Sequence, residues 1–220
     1  MRNIAHWAII CDAGPVSEAG LRETKRRATA HALARAAFDL AVERGVDGFT
    51  IDDVASRAGY SRRTFANHFA CKEEAVTALA LERVRDGLAT LPPVAEDAPL
   101  IDWLQALALH QLSGGMLPLL RQLGALADAH PGLEPYLAEV QRQIRWAAQA
   151  AVAERAGATT PPWYSHILVG AAYGAVMSVL DGHIPLRLPD DPVDATGASE
   201  AAVTVPDFLA TVFTHLRSGF

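Results

Sequence analysis

A chain of 220 residues, half of them apolar, can bury one substantial core or two modest ones. Its two cysteines, Cys11 and Cys71, provide neither a disulfide framework nor a metal-ligand spacing, which suits a reducing cytoplasm. The net charge of −6 argues against a nucleic-acid partner only until it is divided: residues 22–85 carry 12 Lys or Arg against 9 Asp or Glu, whereas residues 86–220 carry 6 against 14.

In chain order, residues 1–20 are expected to form a disordered or loosely packed arm. Their apolar run, Ile4 to Cys11, is interrupted by His6 and followed by no clear small-residue cleavage site, so it does not fit a signal peptide. Helices are predicted over Arg22 to Arg44, Ile51 to Ala58, Arg62 to Phe69 and Lys72 to Thr90, where Leu91-Pro92-Pro93 breaks the chain. Thr50 with Asp53 resembles a capping box in which Asp replaces the usual Glu, and Ser61 can cap the third helix. Ile51, Val54, Ala55 and Ala58 form one apolar face, and Phe65 and Phe69, one turn apart, pin the third helix to the same core. The opposite face carries Arg62, Arg63, Thr64, Asn67 and His68, side chains that can donate to guanine or phosphate, read an adenine edge and touch a thymine methyl. Two short helices around a glycine turn, the second displaying these groups, read as a helix-turn-helix for duplex DNA.

That stretch carries a family resemblance. A basic opening (Arg22, Lys25, Arg26, Arg27) precedes an alanine-rich helix ending in Glu43-Arg44-Gly45. Then come Phe49-Thr50-Ile51, Ala58-Gly59, Ser61-Arg62-Arg63-Thr64-Phe65, His68-Phe69 and Lys72-Glu73-Glu74. In this order Gly20 to Ala78 resembles the DNA-binding domain of the tetracycline-repressor (TetR) family of bacterial transcriptional regulators. The resemblance implies that Thr50 contacts a phosphate, and Ser61 at the start of the reading helix is counted with it among the candidate DNA-binding residues. It implies that Arg62, Arg63, Thr64 and Asn67 face the major groove, and that His68 and Lys72 hold the backbone. Two positions depart from the family pattern. Ala66 stands where an aromatic that commonly touches DNA is usual, and Ala41 stands where Phe is favoured, with Phe38 one turn earlier able to fill the volume.

Beyond the break, apolar residues recur at helical spacing over Leu100 to Leu112, Leu117 to Ala129, Leu133 to Ala156, Trp163 to Leu180 and Glu200 to Leu216. No strand pattern competes, and residues 182–198, rich in Pro, Asp and Gly, read as a long connection. The expected fold is all-α: a helix-turn-helix domain over 21–78 followed by a helical ligand-binding and dimerisation domain over 79–220. Trp163 to Leu180 is apolar for eighteen residues, but polar and glycine positions dilute it. A helix buried on most sides of a dimer explains it better than a membrane span. Gly170 and Gly174 on that segment, with Phe208, Val212 and Phe213 on the last helix, are the candidate dimer interface. Trp103, His110, Met116, Tyr136, Trp146, Tyr173 and Met177 are candidates to line an effector cavity, although aromatic and Met side chains on helices also simply pack as core.

The chain has no phosphate-binding glycine loop, dinucleotide fingerprint, nucleophile elbow, zinc-helix motif or paired-cysteine metal site, and its histidines are scattered, so neither an enzyme nor a cofactor is expected. Cys71 stands where Ser would ordinarily cap the fourth helix. A thiol there can be oxidant-sensitive, but a tolerated small cap residue is the favoured reading. The sequence thus reads as a cytoplasmic homodimeric regulator, more a repressor than an activator, that binds a palindromic operator in double-stranded DNA and answers to a small apolar or aromatic effector. The alternatives are an activator, or a non-specific DNA-binding or protein-interaction module without an inducer.

Overall fold

The computed structural model describes residues 18–157, 160–187 and 203–218. Cys11 and most of the expected N-terminal arm lie outside the described residues, as does the greater part of the connection over 182–198. Helix α1 (Glu18–Arg44) begins within the last residues assigned to that arm. It is followed by α2 (Ile51–Ala58), α3 (Arg62–Ala66), α4 (Lys72–Ala89), α5 (Leu100–Gln111), α6 (Leu117–Ala129), α7 (Glu134–Ala156), α8 (Pro162–Leu180) and α9 (Val205–Ser218). A π-helical turn, Leu112–Met116, joins α5 to α6, with Gly115 at φ 84° inside it. The fold is all-α; its one extended feature among the described residues is a two-residue parallel pairing of β1 (Leu186–Arg187) with β2 (Val203–Thr204).

The local signals act where the side chains put them. Thr50 and Asp53 close a full capping box: Asp53 Oδ2 accepts from the Thr50 amide at 2.8 Å, and the Asp53 amide donates to Thr50 Oγ1 at 3.2 Å. The shorter Asp side chain therefore suffices at N3. At the other end of α2, Gly59 adopts φ 76°, Tyr60 N donates to Ala55 O at 2.8 Å and Gly59 N to Ser56 O at 3.1 Å. These are the two bonds of a Schellman stop, which turns the chain sharply into α3. Helix α3 is shorter than expected, ending at Ala66 with Asn67 as its C-cap. At α9, the Asp207 amide donates to Thr204 Oγ1 at 3.3 Å and the Thr204 hydroxyl donates to Asp207 Oδ2 at 2.6 Å, and the helix starts at Val205 rather than Glu200.

Packing runs across the expected domain boundary. One buried cluster joins Leu33, Phe38, Leu40 and Ala41 of α1, Val54, Phe65, Phe69 and the α4 residues Val76 and Leu79 to Leu119, Leu123, Leu133 and Val140 of α6, α7 and the link between them. Phe38 and Ala41 are both buried in it, so the phenylalanine one turn earlier does occupy the head core. A second cluster joins Leu104 and Leu107 of α5, Val152 of α7, Val169 of α8 and Phe208, Leu209 and Phe213 of α9. Leu88 and Leu180 pack against both. Core thus runs without interruption from the head into α6 and the earlier turns of α7, and α5, α8, α9 and the later turns of α7 form the other half.

Gly59 carries the sharpest local demand, because its positive φ is cheap only for glycine, while a Cβ there would meet nothing within 4 Å. Gly59→Ala should therefore cost about 1 to 2 kcal/mol through backbone strain alone, and Gly59→Asn less, in urea unfolding followed by circular dichroism. Equal stability of all three proteins would show that the turn relaxes.

Candidate functional site

The exposed surface of the α2–α3 unit is held from behind by contacts that leave its polar face outward. Phe65 is 1% exposed and its ring centroid lies 5.7 Å from that of Phe69. Arg57 forms a two-pronged ion pair with Glu43, fastening α2 to the end of α1, and this bonding lowers the Glu43 carboxyl below its ordinary range. Lys72 Nζ donates to the carbonyls of Val46 at 2.6 Å and Phe49 at 3.1 Å and lies 5.1 Å from the Phe49 ring centroid. The start of α4 is thereby clamped to the loop that carries Thr50.

On that frame Arg62, Arg63 and Asn67 are exposed, and Thr64 is half-buried. Ser61 Oγ accepts from Thr64 N at 3.1 Å and bonds Thr64 Oγ1 at 2.9 Å, fixing the first turn of α3. Arg62 Nη1 donates to Asp52 Oδ2 at 2.7 Å, a solvent-exposed pair across the two helices. Such pairs are weak, so the guanidinium can exchange Asp52 for a stronger anion. Thr50 is less available than its exposure suggests: its hydroxyl donates to Asp53 at 2.7 Å and its amide is taken by the same carboxylate. The Lys72 ammonium is likewise occupied by the two carbonyls, so its attraction for a phosphate is that of its charge and of the α4 N-terminus.

Ala66 is exposed and offers only a methyl group where a ring is usual. A residue not singled out by sequence reasoning, Tyr60, is 38% exposed beside the cap Ser61. The signal that could have found it is an aromatic placed in a tight polar turn. His68 packs its ring 6.4 Å from that of Phe69, and burial, then Arg26, lowers its pKa below the ordinary 6.5. Near neutral pH it is therefore an uncharged hydrogen-bonding group.

Helix α4 starts at the cap Cys71, whose sulfur accepts from Glu74 N at 3.5 Å, so the thiol does cap the helix. Cys71 Sγ also shares a hydrogen bond with Tyr136 Oη at 3.2 Å, and the bond and charge of this sulfur raise the Tyr136 hydroxyl pKa. Further along, Val84 and Leu88 of the same helix line an apolar cavity of about 130 Å³ between the two cores. Met116, Tyr173 and Met177 line it as expected residues, together with Leu107, Gln111, Leu120, Ala172 and Phe213. The Tyr173 hydroxyl donates to Gln141 O at 3.5 Å, Arg145 stacks 5.7 Å from its ring centroid, and burial raises its pKa.

Four expected lining residues are elsewhere. Tyr136 is drawn to the head by Cys71, Trp146 is 37% exposed, Trp103 packs against the second core away from the cavity lining, and His110 bonds Thr90 Oγ1 at 3.0 Å outside the cavity. The α9 residues placed at a dimer interface are also corrected. Phe208 and Phe213 are 6% and 0% exposed and belong to the chain's own core, against which Val212 is partly buried. The other half of that expectation sits outside: Gly170 and Gly174 are exposed on α8, each with nothing within 4 Å of where a methyl group would stand, and Trp163 and Ile167 on the same helix are 59% and 62% exposed. By length and composition α8 could cross a membrane, and only 22% of its apolar window is buried.

The lowered pKa of His68 fixes the direction of a pH effect. Its neutral form is favoured in the folded state, so the stability it contributes is complete above about pH 6.5 and is lost as pH falls through the folded pKa. An NMR titration should place His68 below the exposed histidines, and His68→Gln should flatten the slope of stability between about pH 5 and 7. A His68 midpoint above 6.5 would contradict the packing.

Residues 33–79 match the sequence pattern of the bacterial regulatory proteins of the tetR family. No curated protein has a matching sequence. The fold resembles that of a proposed TetR-family transcriptional regulator from Rhodococcus sp., at 16% identity and a TM-score of 0.51 over 86% of this chain and 96% of that one. A transcriptional regulator from Rhodococcus sp. Rha1 is 21% identical over 84% of this chain and 91% of that one, with a TM-score of 0.48. Residues 33–79 thus carry a helix-turn-helix unit that is similar to that of the tetR family of bacterial regulatory proteins.

Proposed function

We propose that the protein is a cytoplasmic homodimeric repressor, released from a palindromic operator when a small apolar or aromatic molecule enters the cavity between its cores. The observation that carries this reading is the path of α4: one helix is capped and clamped inside the head by Cys71 and Lys72, and lines the cavity with Val84 and Leu88. Filling or widening the cavity displaces that helix, and the head moves with it. Residues 21–78 serve as the DNA-binding domain and 79–220 as the effector and dimerisation domain, with α4 shared between them.

On DNA, Arg62, Arg63, Thr64 and Asn67 address base edges, Thr50, Ser61, His68 and Lys72 address phosphates, and Tyr60 adds an aromatic contact beside them. The confined positive charge of residues 22–85 supports this orientation, since the acidic body is repelled by the duplex. Two heads must sit about 34 Å apart to enter successive major grooves on one face. The exposed α8 residues Trp163, Ile167, Gly170, Ala171 and Gly174 supply a face for the second copy, because small residues at this spacing allow close helix approach.

Arg62→Ala combined with Arg63→Ala should abolish sequence preference at a cost of about 1 to 3 kcal/mol for each base edge no longer read. Fluorescence anisotropy on the DNA flanking the protein's own gene, against scrambled DNA at two salt concentrations, measures this; unchanged binding would displace the reading face from α3. Ile167→Asp should convert the dimer to a monomer in analytical ultracentrifugation while leaving the helical circular dichroism intact. A dimer that persists in that variant would remove α8 as the partner surface.

A further inference from the structure

At about 130 Å³ the apolar cavity is close to the size of one that holds benzene, and well below the roughly 300 Å³ at which ordinary ligand pockets begin. Met116 and Gln111 also line a second hollow, a polar cleft of about 380 Å³ between α1, α4, α5 and the π-helical turn. Together the two spaces fall within the range of a ligand site, and they differ sharply in chemistry. The cleft is lined by Arg35, Arg83, His31 and His110 against one carboxylate, Asp86.

The local bonding fits a site with an anion to receive. Arg83 Nη1 donates to Gly114 O at 2.6 Å, which anchors its guanidinium at the mouth of the π turn. Arg35 shares its Nε with Asp39 of its own helix, and Glu82 holds His31 Nδ1, so these two side chains are oriented from outside the cleft lining. Gln111 Nε2 donates to Val84 O at 3.0 Å, and its side chain passes so close to Gly87 that a Cβ there would collide with it. That contact fixes Gln111 at the junction of the two hollows. Met116, unbranched and with three rotatable bonds, is the wall most easily moved.

We propose that the effector is an amphiphilic anion, with an apolar tail in the cavity and a carboxylate or phosphate head group in the cleft, passing between Met116 and Gln111. This rests on the cavity being the effector site. The head group would meet His31 and Arg35 on α1, Arg83 on α4 and His110 on α5, the helices whose relative positions set the reading head against the body. Charge-assisted bonds to two arginines account for preference over a neutral molecule of the same shape.

The test uses octanoate and its neutral analogue octanamide, titrated into the full-length protein by isothermal calorimetry, with DNA release by anisotropy as the second readout. Octanoate should bind at least about tenfold more tightly than octanamide, as expected for one charge-assisted hydrogen bond. Arg35→Gln and Arg83→Gln should each remove most of that preference while leaving octanamide unchanged. Ala172→Phe, which fills the cavity, should abolish binding of both probes. Octanamide binding as tightly as octanoate would overturn the anionic head group and leave the cavity reading standing. Octanoate binding that survives Ala172→Phe would show a cleft-only anion site and overturn the joined site. Failure of both probes to bind the unaltered protein would overturn both readings.

Discussion

Everything in this molecule depends on α4 being one unbroken helix that belongs to two packing environments. Its first turns carry Ala75, Val76 and Leu79, buried with the head, and its later turns carry Val84 and Leu88, which reach the seam between the cores. A rigid helix transmits displacement because shortening or bending it would break backbone hydrogen bonds. The clamp of Lys72 on the Val46 and Phe49 carbonyls ensures that the loop carrying Thr50 follows.

The cavity is a consequence of how the two cores meet. Neither cluster closes over Leu88 and Leu180, which touch both, and the gap beside them is lined from each side: Met116 and Leu120 from the first, Leu107 and Phe213 from the second. Interiors are normally filled close to crystal density, so a persistent apolar gap costs stability. Under the proposed function that cost is tolerated because a ligand that fills the gap recovers the missing packing. Polar ties hold the head to the body beside this soft seam: Cys71 with Tyr136, and Asp47 with His130 at 3.1 Å, both near the α6–α7 connection. The first of these sits at the start of α4, whereas the cleft lies along its later turns, so the geometry suits a hinge at one end and separation at the other.

The caps and the glycine turn of the head were legible in the sequence to the residue, and the body only in outline. Thr50, Asp53, Gly59 and Ser61 act within four or five positions of themselves, so caps and turn could be read without knowledge of the tertiary fold. The body's helices were visible from periodicity, but the direction in which each face points was not. Phe208 and Phe213 looked available for a partner, yet the chain itself consumes them, whereas the cavity is lined largely by ordinary Leu, Val and Ala positions that no local pattern separates from core. Tyr136 illustrates the limit: an aromatic in the body had no local mark of the long-range bond to Cys71 that takes it away from the cavity. Similarly, exposure alone would overstate Thr50 and Lys72, whose polar atoms are already engaged in building the head.

The occupied groups also constrain how the head can read DNA. Because Thr50 and Lys72 spend their directional bonds internally, the proposed reading leaves them to contribute positions rather than free donors, and the exchangeable directional contacts fall to Arg62, Arg63 and Asn67 on and beside α3. Asp52 then acts as a placeholder: it holds Arg62 across the α2–α3 face and is a weak competitor in water. A phosphate presents a more concentrated charge, whereas a guanine edge offers two aligned acceptors but no net charge. The pair with Asp52 is therefore given up more readily to a phosphate than to a base edge. In the proposed reading, specificity comes from geometry that satisfies Arg62 and Arg63 together, since one arginine alone can be content with the backbone.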